Sequence, residues 1–283
     1  MIESGFWVAI LVLVATFLLP AFSSELRKNQ YILSGYWFVI ILHQIAAFTN
    51  RYFLLMPGAG MDSIGIHRTA ERMFKFDEWD FQLGVQFYIE MLGVVYRQFG
   101  VSQLLGAELS ILAFAVSCIF LIKIMNQLGI IQHQLFALLL FGALPSMVMM
   151  GSITLREPYQ ILFFMLTIYF GIKAHLKGGI NSNLIGLIVS AVMVGLLHKI
   201  LIIYSGLLVA LILIWPFRSV ARRWCVTKIR LLALVIIPTI VIGIMTLASF
   251  KESFNIDLNL DTMEAVVSEN WVEAIQDFRS HHN

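Results

Sequence analysis

Charged side chains in this chain fall almost entirely outside its apolar runs, in the segments that separate or follow them. Several of those runs approach the length of about 20 residues that carries a helix across a bilayer. This pattern constrains the fold more than any other feature. A backbone in hydrocarbon must satisfy its own polar groups, and only helices and closed barrels do so. The alternating segments of about 10 residues that mark a membrane barrel are absent. Hydrophobic residues make up 59% of the 283 and charged residues 13%, where soluble domains run nearer a quarter charged. The expected fold is all-α: a polytopic membrane protein of about 8 transmembrane helices, with two interfacial helices in its first long outer loop. The spans fall near 5–22, 33–48, 104–125, 132–150, 158–174, 183–197, 200–216 and 231–249. A turn at His198-Lys199 separates the sixth from the seventh, because a cation at mid-membrane costs about 2.5–3.5 kcal/mol on insertion scales.

Lys and Arg set the expected orientation. Arg27, Lys28, Lys123, Lys173, Lys177, Arg218, Arg222, Arg223, Lys228 and Arg230 share one side with a single acid, Glu25. By the positive-inside rule that side is cytoplasmic, and both termini and the 49–103 loop lie outside. The basic run from Arg218 to Arg230 reads as a topology determinant meeting anionic lipid. Nothing here implies nucleic acid, because the overall charge of +2 hides a division between two faces. Two domains are expected: a transmembrane domain over 1–249, with the outer loop 49–103, and an acidic outer tail over 250–283. The first helix lacks a basic n-region and reads as a retained span rather than a cleaved signal. An integral location in a bacterial plasma membrane follows. Cys118 and Cys225 have no metal-ligand spacing, and no metal or cofactor is expected.

Within the outer loop, Ser63 to Phe76 reads as a helix with Asp62 as a potential N-cap. Gln82 to Phe99 reads as a second helix, with Val85, Ile89, Leu92, Tyr96 and Phe99 along one apolar face. Three polar clusters then fall on the outer side. They are Asp62 with His67, Arg68, Glu71 and Arg72; Arg156-Glu157 before the fifth span; and His198-Lys199. Such charges beside spans are expensive and call for a reason. Asp62 is either a general base for an acceptor hydroxyl or a helix cap. His67 faces either Asp62 or Glu71 along one helix side. Arg156 and Lys199 suit the phosphate of a lipid-linked donor. The plain alternatives are an Arg156–Glu157 ion pair capping a span and snorkelling at His198-Lys199. Glu108 and Glu90 are weaker candidates for a second carboxylate.

Gly60-Met61-Asp62-Ser63-Ile64-Gly65-Ile66-His67-Arg68-Thr69-Ala70-Glu71, then Gln86-Phe87-Tyr88 through Val95-Tyr96-Arg97-Gln98-Phe99-Gly100, resemble the first outer loop of GT-C-type glycosyltransferases. That superfamily includes the protein O-mannosyltransferases and aminoarabinose transferases. Pro145-Ser146 with Ser152-Ile153-Thr154-Leu155-Arg156-Glu157-Pro158 is a further similarity, so the likeness spans about 33–160. It implies a polyprenyl-phosphate sugar donor, transfer on the non-cytoplasmic face, and Asp62 as catalytic base. Arg156, His198 and Lys199 are placed in phosphate roles by topology, and His67, Arg68 and Glu157 join them as substrate-binding candidates from the same outer clusters. The extra helix before the span that should come first departs from the family pattern. An oligosaccharide-repeat polymerase or ligase, and a non-catalytic scaffold or transport subunit docking other membrane subunits, stay open as alternatives.

Overall fold

The protein is described from a computed structural model, which covers residues 3–53, 59–76, 82–177 and 182–214. The span expected at 231–249, the basic run from Arg218 to Arg230, Cys225 and the 250–283 tail lie outside the described residues. Among the described residues every regular element is helical. In order they are α1 (Phe6–Leu18), continued by a 3₁₀ turn (Leu19–Phe22), α2 (Ser24–Arg27), α3 (Gln30–Tyr52), α4 (Ala59–Phe76) and α5 (Val85–Phe99). Then come α6 (Gln103–Gln127), α7 (Gln134–Ala143), α8 (Pro145–Gly151), α9 (Glu157–Lys177), α10 (Ser182–Leu197) and α11 (Leu201–Ile214).

Among the described residues two helices, α3 and α6, are long and apolar enough to cross a membrane, and α7 with α8 makes a third if that bent pair is one span. At a rise of about 1.5 Å per residue, α6 is roughly 37 Å long and α3 roughly 34 Å, against a hydrocarbon core of about 30 Å. The expected span at 132–150 is broken by a bend of 64° between α7 and α8. Pro145 causes the bend: it opens α8 as a first-turn proline and holds Leu144 extended, at φ −58° and ψ 132°. The sixth expected span is the 16-residue α10, and the chain turns at His198–Ile200 before α11.

Side-chain caps start the two long helices. Asn29 Oδ1 accepts from the Tyr31 and Ile32 amides at 3.0 and 3.4 Å, and Ser102 Oγ accepts from the Leu105 amide at 3.3 Å. Hydroxyls inside apolar helices bond their own preceding turn: Thr16 to the Val12 carbonyl, Ser117 to Ala113 and Ser205 to Leu201. This closes donors that hydrocarbon would leave unmet.

α6 is the hub, packing against α1, α3, α7 and α9. One apolar core gathers Ala9, Ile66, Tyr88, Leu92, Tyr96, Leu105, Ile153 and Leu197, from α1, α4, α5, α6 and α10 and from the 152–156 link. A second joins Tyr36, Ile40, Phe114, Ile122 and Leu138 from α3, α6 and α7. The apolar face of α5 therefore shifts from the sequence expectation. Tyr88, Ile89, Leu92 and Tyr96 are buried while Val85 and Phe99 are exposed. The chain before α1 is tied to the start of α6. Glu3 pairs with Arg51 and accepts from Ser102 Oγ at 2.6 Å, and Arg51 also reaches Gln103 at 3.1 Å.

Close helix contact rests on small residues, as is usual in membrane bundles. A Cβ on Gly142 of α7 would lie 2.5 Å from Val39 Cγ1 of α3. Gly142→Leu is expected to lower unfolding stability in detergent by about 1–3 kcal/mol through overpacking. Thermal unfolding monitored by circular dichroism measures it.

Candidate functional site

The second and third polar clusters of the sequence meet at Gly84. This residue precedes α5 with φ 95° and ψ −131°, and its amide donates to the Leu196 carbonyl at 2.8 Å. A positive φ of this kind is nearly confined to glycine. The place a Cβ would take there lies 3.7 Å from Arg156 Nη1 and 3.8 Å from Lys199 Cγ. Arg156 arrives from the link before α9, and Lys199 from the turn after α10. The missing side chain leaves room between them, at the amino end of a 15-residue helix. The first amides of α5 and the positive end of its dipole add to the two cations.

Arg156 Nη1 also donates to the Leu197 carbonyl at 3.4 Å, as does Gln160 Nε2 at the same distance. Arg156 Nε meets Glu157 Oε1 at 3.3 Å, so the expected ion pair forms. It engages one edge of the guanidinium. Lys199 is exposed and has no ion-pair partner among the described residues. His198 adjoins the cluster, and burial followed by the Arg156 charge lowers its pKa, against a smaller opposing effect of Glu157. Two cations beside a helix amino end, with Glu157 paired to the Nε edge of one of them, form a place suited to an anion.

The first cluster is tied to the second by a neighbour of Asp62. Ser63 Oγ accepts from the Thr154 amide at 3.1 Å in a buried contact, two residues before Arg156. Asp62 itself is exposed. The expectation that it caps α4 is corrected: the helix is already formed at Ala59, which places Asp62 inside the first turn. Among the described residues its carboxylate makes no hydrogen bond or ion pair.

His67 goes to neither expected acid. Its Nδ1 lies 2.7 Å from the Tyr96 hydroxyl, with the rings edge to face at 5.4 Å. Glu71 pairs instead with Lys75 at 2.7 Å, which lowers its pKa. The positive charges flanking the site are less concentrated than the sequence suggested, since Arg68 is exposed and meets the group only through His67's electrostatics. Glu108 joins no site with Asp62: it is buried against Gln44 of α3, at 2.7 Å. Glu90 is buried on α5. Gly84, Tyr96, Ser63 and Thr154 were not singled out for these roles, although a glycine opening an apolar helical face was visible at Gly84. Among the described residues no group of three His, Cys, Asp or Glu is placed to hold a metal.

The chain matches no protein-family profile, no curated protein sequence and no solved structure.

Two outcomes follow from this geometry. Gly84→Ala is expected to cost about 1–3 kcal/mol from backbone strain, measured by thermal unfolding. Acid should also weaken the fold. Burial lowers the pKa of His67 from its ordinary 6.5, and His198 is lowered too. The unfolded chain therefore binds protons first, so this stability is complete above about pH 6.5 and falls as pH drops. A melting series from pH 7.5 to about 5 should show the decline, with a shallower slope in His67→Gln.

Proposed function

We propose that the chain is a membrane glycosyltransferase that moves a sugar from a polyprenyl-phosphate donor to an acceptor on the non-cytoplasmic face. The observation that carries this reading is the meeting of Arg156 and Lys199 at Gly84, beside a segment pinned to Ser63, the neighbour of Asp62. A phosphate needs cations and helix-end amides, and an acceptor hydroxyl needs a base. Asp62 is an exposed carboxylate without a partner among the described residues, and so is available for that role.

In this reading Asp62 takes the proton from the acceptor hydroxyl as its oxygen attacks the anomeric carbon. The bond from that carbon to the phosphate oxygen breaks, and polyprenyl phosphate leaves with the electron pair. Arg156 and Lys199 hold the departing charge, which grows as the bond breaks, and so favour the transition state over the bound donor. His67, held by Tyr96, and Arg68 border the acceptor side, while Glu157 and His198 set the orientation and charge of the two cations. The proposal includes about eight passes, GT-C-like architecture and a bacterial plasma-membrane location. The shorter apolar helices α1, α10 and α11, together with α9, would supply crossings beyond the two or three that length and composition identify among the described residues.

Asp62→Asn tests it. In membranes supplied with polyprenyl-phosphate sugars, release of free polyprenyl phosphate should fall by about 10²–10⁴-fold, the usual contribution of a general base, with expression unchanged. Full release in that variant would overturn the reading. Loss of release in Arg156→Ala alone, with Asp62→Asn active, would favour an oligosaccharide-repeat polymerase or ligase. No release under any condition, with a stoichiometric partner co-purifying, would favour a scaffold.

A further inference from the structure

Glu108 sits about 8 Å from the start of α6, fully buried, and plays no part in the candidate site. Gln44 Nε2 of α3 donates to its Oε2 at 2.7 Å. Each of the two groups keeps one more oxygen, Gln44 Oε1 and Glu108 Oε1, that is buried and has no partner among the described residues. Ala47, Ala107 and Ile111 form an apolar cluster at the same contact of α3 with α6.

No charged group among the described residues offsets Glu108; Gln44 is its one polar partner. Around α6, Asp62, Arg68 and Arg72 of α4 are exposed, Lys123 and Lys173 lie over the Phe120 and Tyr169 rings, and the following groups have partners elsewhere. On α3, His43 meets the Val39 and Met147 carbonyls and stacks on Phe114, and Arg51 is held by Glu3 and Gln103. On α4, His67 goes to Tyr96 and Glu71 to Lys75. Tyr88 of α5 packs at a tilt against Tyr159 of α9, and Arg156 pairs with Glu157 at the start of that helix. Glu25 of α2 is bonded by Ser23 and Ser24. α1, α7 and α8 carry no titratable side chain. An ionised carboxylate at this contact would therefore hold a charge in an apolar setting on a single hydrogen bond, an expensive state.

We propose that Glu108 and Gln44 form a proton-binding site at the contact of α3 and α6, with Glu108 held as the neutral acid at neutral pH. The pair as it stands is one donor short, and a carboxyl O–H supplies that donor. The site is independent of what the chain transfers. It is connected to the candidate site through α6. Gly106 abuts Thr154, and Ser110 Oγ donates to the Leu155 carbonyl at 3.5 Å. The two turns of α6 that hold the proton thus also seat the segment ending in Arg156. Deprotonation places a charge between α3 and α6 at that level, and the 154–156 segment is the part it disturbs.

Infrared spectroscopy of the full chain in lipid vesicles tests this across a pH series. A carboxylic-acid C=O band should be present at pH 7, vanish in Glu108→Gln, and shift in Gln44→Leu because its hydrogen bond is lost. Glu108→Gln mimics the neutral acid, so it should keep the wild-type melting temperature at pH 7. An acid neutral when folded and ionised when unfolded binds more protons in the folded state, so its contribution falls as pH rises. Wild type should lose stability toward pH 9 more steeply than Glu108→Gln. Absence of an acid band assignable to Glu108 at pH 7 would overturn the proposal. So would a band that follows sodium concentration instead of pH, or one unmoved by Gln44→Leu. If Glu108→Gln does not fold, the band in isotope-labelled glutamate and its shift in Gln44→Leu decide the question.

Discussion

Polar groups on the apolar helices have few partners beyond the backbone itself, and that condition governs where the rest can be. Hydroxyls on the apolar helices turn back to their own carbonyls, as Thr16, Ser117 and Ser205 do. Groups too demanding for that solution collect where helices begin and end. The links before α5 and α9 and the turn after α10 are such places, and they carry Gly84, Arg156 and Lys199. Glu108 stays inside α6, and it does so with an amide partner, Gln44.

The candidate site is held by main-chain contacts as much as by side chains. The Gly84 amide bonds the Leu196 carbonyl, the Thr154 amide bonds Ser63, and Arg156 bonds the Leu197 carbonyl. Arg156 is thereby held in place while Asp62 and Lys199 stay accessible. Preorganised charge of this kind needs little rearrangement when an anionic group develops in a reaction.

The apolar runs made the helical class legible, because their length and lack of charge leave a helix as the simplest answer. The turn at His198-Lys199 was legible for the same reason, from the cost of charge at depth. Positive-inside reasoning assigned Arg156, His198 and Lys199 to one side, and the structure places Arg156 and Lys199 around one glycine. Periodicity placed Ile89, Leu92 and Tyr96 on the buried face of α5 but not its ends, since Tyr88 is buried while Val85 and Phe99 are exposed. Tyr88 packs there against Tyr159 of α9, a contact that spacing within α5 does not encode. The Asp62 cap failed because helix start depends on Ala59 and Gly60 finding helical geometry, which no side-chain rule reports. The bond of His67 to Tyr96, across 29 positions, and that of Ser63 to Thr154, across 91, depend on tertiary placement that local spacing does not encode.

The tie between Glu3, Arg51, Ser102 and Gln103 has a topological meaning. Groups in hydrogen-bond contact cannot stand on opposite sides of a layer about 30 Å thick. The chain from Glu3 to Arg51 must therefore cross such a layer an even number of times, zero included, and so must the chain from Arg51 to Ser102. Thr154 Oγ1 bonds the Gln103 carbonyl, and Arg156 bonds that of Leu197, which extends the rule to residue 197. If α6 crosses, the bent α7–α8 pair has to bring the chain back. If α9 crosses, the shorter α10 must return it. A handful of polar contacts thus acts as a parity check on any membrane topology drawn for this chain, independent of charge counting.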